Sequence, residues 1–171
     1  MNPTDCFSEI KTKSNELAIY LEDLISSQNL SWHEHFGFDV VFLDSSWIQK
    51  ELALKEINKL HPIKQIGLLK VSNNSCYHWH VDGFRQSCIN SLISKDHYSH
   101  TLFGEYKDEI YHKNIIELKY KPYTYYLFNN QKEHTVLNLD NRDRYLFSLY
   151  FNEETSYEIL REKLKSTLIN K

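Results

Sequence analysis

The chain has 171 residues, of which 41% are hydrophobic and 25% charged, with only four Gly and three Pro; this suits one folded domain with a sizeable core and leaves little for disordered linkers. Its 20 Lys and Arg against 23 Asp and Glu give a formal charge of -3, so no extended nucleic-acid binding and no attraction to an anionic membrane is expected. No apolar run approaches the roughly 20 residues needed to cross a bilayer, and Met1 to Cys6 lacks the basic and apolar sections of a secretory signal. The expectation is a cytoplasmic protein whose three widely spaced cysteines, Cys6, Cys76 and Cys88, are reduced and packed.

In chain order, Phe7, Ile10, Leu17, Tyr20, Leu21, Leu24 and Ile25 recur largely at three and four residues, which predicts an N-terminal helix over 7–30. A second helix is predicted over 44–60, opened by Ser45 or Ser46 and ended by Pro62. Beyond Pro62 the texture becomes strand-like in seven segments, 66–71, 75–81, 87–93, 115–120, 124–128, 135–139 and 145–151, with turns such as Ser72-Asn73-Asn74 and Asn129-Asn130 between them. Helical spacing returns from Glu153, with acids early and lysines late, in agreement with the helix dipole. The expected organisation is one mainly β domain with flanking helices: a helical cover over about 7–60, a β core over about 66–151 and a C-terminal helix over about 155–169.

The segment Tyr77-His78-Trp79-His80-Val81-Asp82-Gly83 holds two candidate metal ligands one residue apart, His80 and Asp82, which on a strand would share a face. His134 stands 54 residues later, before Thr135-Val136-Leu137-Asn138-Leu139, where a barrel can bring it opposite the pair. Two imidazoles and one carboxylate leave open positions on an octahedral iron, as activation of dioxygen requires. Ten residues on, Arg144 opens Arg144-Tyr145-Leu146-Phe147-Ser148. There 144, 146 and 148 share a face, so Arg144 and Ser148 would both point inward, the guanidinium clamping a carboxylate through two hydrogen bonds.

Taken together, His80-Val81-Asp82, Arg85, Cys88-Ile89-Asn90, Phe128-Asn129, His134-Thr135-Val136-Leu137-Asn138 and Arg144-Tyr145-Leu146-Phe147-Ser148 resemble the 2-oxoglutarate and iron(II)-dependent dioxygenases, on the side of the aspartyl/asparaginyl β-hydroxylases and the prolyl-hydroxylase-like proteins. The resemblance spans about half the chain, from Ile66 to Phe151. It implies a double-stranded β-helix, a jelly-roll or cupin-like barrel, with Fe(II) on His80, Asp82 and His134 and 2-oxoglutarate anchored by Arg144. The implied activity couples oxidative decarboxylation of 2-oxoglutarate to hydroxylation of a small molecule or a protein side chain by dioxygen.

Other positions stay open between two readings. Arg85 would recognise a carboxylate, brace the metal loop or form a surface ion pair; Asn90 would bond the co-substrate or fill a structural role. Arg144 could instead pair with Asp140 or Asp143, and Asn138 is expected to orient backbone near the metal. Tyr77, Trp79, Phe84, Tyr125, Tyr126 and Phe128 are candidate pocket or core aromatics, Tyr125 and Tyr126 on opposite faces. The alternative functions are a non-catalytic metal-binding β-barrel and, through His78-Trp79-His80-Val81-Asp82 read as HxHxD, a zinc-dependent hydrolase.

Overall fold

The structure, a computed structural model, describes residues 1–27, 29–107, 111–152, 155–165 and 168. Its eleven described strands form two antiparallel sheets. The N-terminal part contributes Phe7–Thr12 (β1), His33–His35 (β2) and Phe38–Phe42 (β3), and helices Pro3–Cys6 (α1), Asn15–Ser26 (α2), Trp47–Lys50 (α3) and Leu52–Leu60 (α4). The central part contributes Ile63–Val71 (β4), Ser75–His80 (β5), Ser87–Leu92 (β6), Ser99–Tyr106 (β7) and His112–Leu118 (β8). Thr124–Asn129 (β9), His134–Asn138 (β10), Arg144–Phe151 (β11) and the helix Tyr157–Lys165 (α5) complete it.

One sheet has the order β1-β9-β6-β11-β4-β3-β2 and the other β5-β10-β7-β8. From β4 onward the chain passes back and forth between the two sheets, with β7 and β8 the one consecutive pair in the same sheet. Antiparallel strands that shuttle in this way bring the ends of β5, β10 and β11 to one interior, as a closed two-sheet barrel requires.

Side-chain alternation divides the larger sheet into two faces. Ile66, Leu68, Ile89, Tyr125, Leu127, Phe147 and Leu149 turn outward and pack under Leu17 and Leu21 of α2, Leu54 and Ile57 of α4, and Leu160 and Leu164 of α5. The opposite parity, with Leu69, Asn90, Phe128, Arg144, Leu146 and Ser148, faces the interior. Helices therefore cover one side and leave the other to the site. No helix among the described residues is long and apolar enough to cross a membrane.

Three sequence expectations need correction. The helix predicted over 7–30 begins only at Asn15, capped by Ser14, whose hydroxyl accepts from the Leu17 N–H at 3.3 Å. Phe7 to Thr12 instead extends the larger sheet along β9, with Phe7 opposite Phe128. The odd separation of Phe7 and Ile10 puts them in different core clusters, where a helix would have put them on one stripe. The second helix is broken at Glu51, which is extended and uses its carboxylate to accept from the Ala53 N–H and, at 2.6 Å, from the Ser14 N–H. Finally, β2, β3 and β7 were not anticipated; β2 and β3 are joined through Phe36 and Gly37, both at positive φ (44° and 94°), the signature of a tight hairpin turn.

The C-terminal helix lies where expected, although positions 153, 154, 166, 167 and 169–171 fall outside the described residues. All three cysteines are free; Cys6 and Cys88 are buried as expected, whereas Cys76 is exposed because its side of β5 faces solvent.

The fold also buries a lysine on the helix-covered side of the larger sheet. Lys13 is 6% exposed, its Nζ has no hydrogen-bond partner among the described residues, and it lies 4.7 Å from the Tyr123 ring centroid. Burial pushes the amine down to about 7, against the pull of Glu51 and Glu22. Between that value and the ordinary 10.5 the unfolded chain holds more protons than the folded one, so stability rises with pH across this window and the full penalty applies below it. Lys13→Met is expected to stabilise the protein at pH 7 by on the order of a few kcal/mol. Thermal melts at pH 6 to 10 check this: the variant should melt higher at low pH and lose the upward slope.

Candidate metal centre

β5 ends at His80 and β10 begins at His134, and the two residues are cross-strand partners. The pairing shifts between His134↔His80 and Val136↔Tyr77, so two residues of β5, His78 and Trp79, oppose one of β10, Thr135. This bulge changes the parity of β5 and lets both Tyr77 and His80 line the interior. Asp82 lies beyond the strand. Its proximity to His80 comes from the loop, whose backbone is tied down by the Asp82 N–H donating to the Asn130 carbonyl at 3.1 Å.

The ligand atoms of His80, Asp82 and His134 lie within 4.8 Å of one another, the one such group among the described residues. Asp82 Oδ1 is 3.3 Å from His80 Nε2 and 3.9 Å from His134 Nε2. A first-row ion sits roughly 2.1 Å from such donors, so ligands at right angles are about 3 Å apart and small side-chain rotations close the set. In each histidine Nδ1 donates to a backbone carbonyl, His80 to His78 at 2.7 Å and His134 to Lys132 at 2.9 Å. Because the carbonyl only accepts, Nδ1 holds a proton and Nε2 is the atom each ring could offer an ion. In His80 burial is outweighed by Asp82 and the His78 carbonyl, which raise its pKa, so binding an ion there would displace the Nε2 proton shared with Asp82.

Electrostatics fit the same task. Burial and the neighbouring His80 push His134 down to about 4, so it is neutral and ready to ligate at pH 7. Burial opposes ionisation of Asp82, but the hydrogen bond from His80 and the charge of Arg85 outweigh it and hold the carboxyl at about 2. Asp82 Oδ2 accepts from Arg85 Nε (3.1 Å), Arg85 Nη2 (2.8 Å) and Asn130 Nδ2 (2.7 Å), which leaves Oδ1 turned to the two histidines and able to take part in holding a metal ion. Gln131 Nε2 donates to the carbonyls of Asp82 and Arg85 and fastens the loop from behind.

Arg85 thus braces a candidate ligand. Removing such outer partners typically costs 10- to 100-fold in metal affinity, so Arg85→Ala is expected to weaken iron(II) binding about tenfold or more. Competition titration against a metal indicator checks this, with the melting temperature of the metal-free protein as control.

At the deep end of the same cavity Arg144 is 2% exposed, and burial pulls its pKa down, although a guanidinium in a protein stays charged. Its Nη2 donates to Thr101 Oγ1 at 3.0 Å, its Cζ stands 5.6 Å from the Tyr120 ring centroid, and its Nε has no partner. No carboxylate pairs with it among the described residues; Asp140 binds Arg142 instead. Asn90 Oδ1 is also buried without a partner. Ser148 faces the cavity, but four residues of extended strand separate it from Arg144 by about 13 Å, so it stands beside its cross-strand partner Asn90.

Other candidates fall elsewhere. Asn138 lies at the far end of β10, where its amide donates to the carbonyls of Val71, Ser72 and Arg142, so it ties strand ends together away from the metal ligands. His78 is exposed and outside the ligand group, which removes the first ligand of the HxHxD hydrolase reading. Of the six aromatics, Tyr77 and Phe128 line the pocket. Trp79 stacks on His112, Phe84 is exposed, and Tyr125 and Tyr126 fill opposite cores. Thr101, Tyr120 and Asn130 are pocket residues that sequence reasoning missed. Asn130 was visible only as a turn residue, and β7, which carries Thr101, was not anticipated.

No protein-family model and no curated protein sequence matches the chain. Solved structures do. A prolyl-4-hydroxylase of Pseudomonas putida superposes with a TM-score of 0.62 at 14% identity, covering 85% of this chain and 91% of the other. A 2OG-Fe(II) oxygenase family protein of Burkholderia pseudomallei gives 0.61 at 8% identity over 84% and 82%. The viral collagen prolyl hydroxylase of Paramecium bursaria Chlorella virus-1, in complex with 2OG, gives 0.58 at 13% identity over 86% and 97%. The chain has the double-stranded β-helix fold of these oxygenases. In this double-stranded β-helix the candidate metal-ligand group sits where β5 leaves and β10 enters the smaller sheet, and Arg144 opens the last strand of the larger one.

Proposed function

We propose that the chain is a 2-oxoglutarate-dependent iron(II) dioxygenase that hydroxylates a small molecule or a protein side chain, with His80, Asp82 and His134 as the iron ligands. The observation that carries this reading is Arg144: a guanidinium fully buried in the cavity that holds the ligand group, with no counter-ion among the described residues and an unpartnered Nε. Burying a charge costs several kcal/mol unless an opposite charge or hydrogen bonds repay it. A cavity with three metal ligands at one end and an unneutralised cation at the other suits a co-substrate that chelates with one end and presents a carboxylate at the other.

In this reading Arg144, supported by Thr101 and Tyr120, binds the distal carboxylate of 2-oxoglutarate. Asn90 and Ser148 offer hydrogen bonds nearer the ligand group, and Asp82 supplies one negative charge to the dication. Phe128, Val136 and Leu146 wall the cavity with apolar surface and keep bulk water from it. Iron(II) and 2-oxoglutarate, once bound, supply oxidative decarboxylation to succinate and carbon dioxide coupled to insertion of oxygen into a substrate C–H bond. Prolyl hydroxylases stand among the similar folds, which supports a side chain of a peptide as one form of the substrate.

The test is succinate formation by purified protein with iron(II), 2-oxoglutarate and air. Turnover, even slow and without primary substrate, that stops when iron is chelated or oxygen removed is the expected result. Tight metal binding with no succinate, including after addition of candidate peptides and metabolites, would favour the non-catalytic metal-binding barrel.

A further inference from the structure

A second cavity opens beside the metal pocket, where β4 begins and β11 ends, and Arg85 lines both. Lys64, Phe84, Tyr150 and Asn152 contribute to its other walls. Tyr150 continues the interior-facing series of Arg144, Leu146 and Ser148 by one more step along β11, so the second cavity lies at the outer end of the strand face whose inner end holds the co-substrate cation.

The walls carry more positive than negative charge among the described residues. Arg85 commits Nε and one Nη2 hydrogen to Asp82, which leaves Nη1 and the second Nη2 hydrogen as its remaining donors. Lys64 is exposed and forms no ion pair among the described residues; its Nζ rests 5.6 Å from the Tyr150 ring centroid. Phe84, 86% exposed, presents an apolar ring at the edge of the same space. Because the Arg85 charge is shared with Asp82, the cavity offers close to one unspent positive charge. That matches a singly charged carboxylate better than a phosphate dianion, and the rings of Tyr150 and Phe84 offer apolar surface to the carbon skeleton attached to it.

We propose that this cavity is the subsite for the primary substrate and that the substrate bears a carboxylate, held between Lys64 and Arg85 with its skeleton directed toward the metal ligands. The proposal rests on the oxygenase reading for the word substrate, but the subsite itself is defined by Lys64, Arg85 and Tyr150. The carboxylate belongs either to a free acid or to an acidic side chain of a peptide, and the two sources are separate arms of the test.

Protein loaded anaerobically with iron(II) and saturated with 2-oxoglutarate, so that the Arg144 end is filled, is titrated by calorimetry with phenylacetate and with the blocked tripeptide acetyl-Gly-Asp-Gly-amide. Phenylacetamide and the Asn counterpart of the peptide serve as the neutral controls. At least one carboxylate is expected to bind at least tenfold more tightly than its amide. Lys64→Gln should reduce that preference roughly tenfold while leaving 2-oxoglutarate affinity unchanged, and Tyr150→Leu should weaken carboxylate and amide alike. Equal affinity for carboxylate and amide, no binding by either carboxylate at about 10 mM, or indifference to Lys64→Gln would overturn the subsite. If 2-oxoglutarate itself fails to bind, the oxygenase reading falls on its own. In that case carboxylate binding that depends on Lys64 but not on Arg144→Lys still supports the subsite, and the reverse dependence overturns it.

Discussion

Asp82→Asn is expected to lose iron(II) binding as completely as Asp82→Ala, by more than roughly 100-fold, since even the partners that merely orient a ligand are commonly worth 10- to 100-fold. The argument lies in the three donors that converge on one carboxylate oxygen, two from Arg85 and one from Asn130. An amide in that place would turn its carbonyl oxygen toward those donors, because its NH2 group cannot accept from them. The NH2 would then face His80 and His134, with no lone pair to offer an ion. Charge loss and wrong orientation act together, so the near-isosteric change should be no milder than truncation. Metal titration monitored by competition with an indicator dye measures it, and unchanged melting of the metal-free protein guards against misfolding. Iron affinity within threefold of the parent protein would remove Asp82 from the ligand set.

How far the sequence foretold this arrangement depends on which residues are considered. His80 and Asp82 were paired by the same-face rule for alternate strand positions, and the structure brings them together by a different route: β5 stops at His80 and a loop held by Asn130 and Gln131 delivers the carboxylate. Arg144 and Ser148 do share a strand face, as parity predicts, but parity says nothing about distance along the strand, and that distance separates Ser148 from the guanidinium. The strands richest in β-branched and aromatic residues were legible because both of their faces are buried; β9 reads Thr124-Tyr125-Tyr126-Leu127-Phe128-Asn129, every residue of it buried. β7 was missed because Ser99 and Glu105 interrupt the face that carries Thr101 and Phe103, and His100 the other, so neither face reads as an apolar run. β1 was missed for another reason. Phe7 and Ile10 fit a helical spacing locally, and only the unpaired edge of β9, a partner more than a hundred residues away, makes a strand of them. Arg85 and Asn130 acquire their roles through one shared acceptor, Asp82 Oδ2, which no periodicity can reveal.

Arg144→Lys is expected to weaken 2-oxoglutarate binding by about one to two powers of ten while iron(II) affinity stays nearly intact. A hydrogen bond with an ionised partner contributes roughly 1.5 to 3 kcal/mol, and each 1.4 kcal/mol is about tenfold in affinity. Lysine keeps the charge but loses the planar fork, and here the geometry makes that loss specific. In the parent protein Nη2 is held by Thr101 Oγ1 and Cζ lies 5.6 Å from the Tyr120 ring centroid, so the guanidinium plane is fixed before any co-substrate arrives and Nε is left without a partner. A lysine ammonium has no plane to fix. Its three hydrogens would divide between Thr101 and the carboxylate, and its stronger hydration makes burial costlier. Anaerobic titration of 2-oxoglutarate into both iron-loaded proteins separates the two ends of the cavity. A large loss of co-substrate affinity with unchanged metal affinity places the carboxylate on Arg144, whereas equal affinity in the two proteins would leave the buried cation unexplained and make Arg85 the next residue to change.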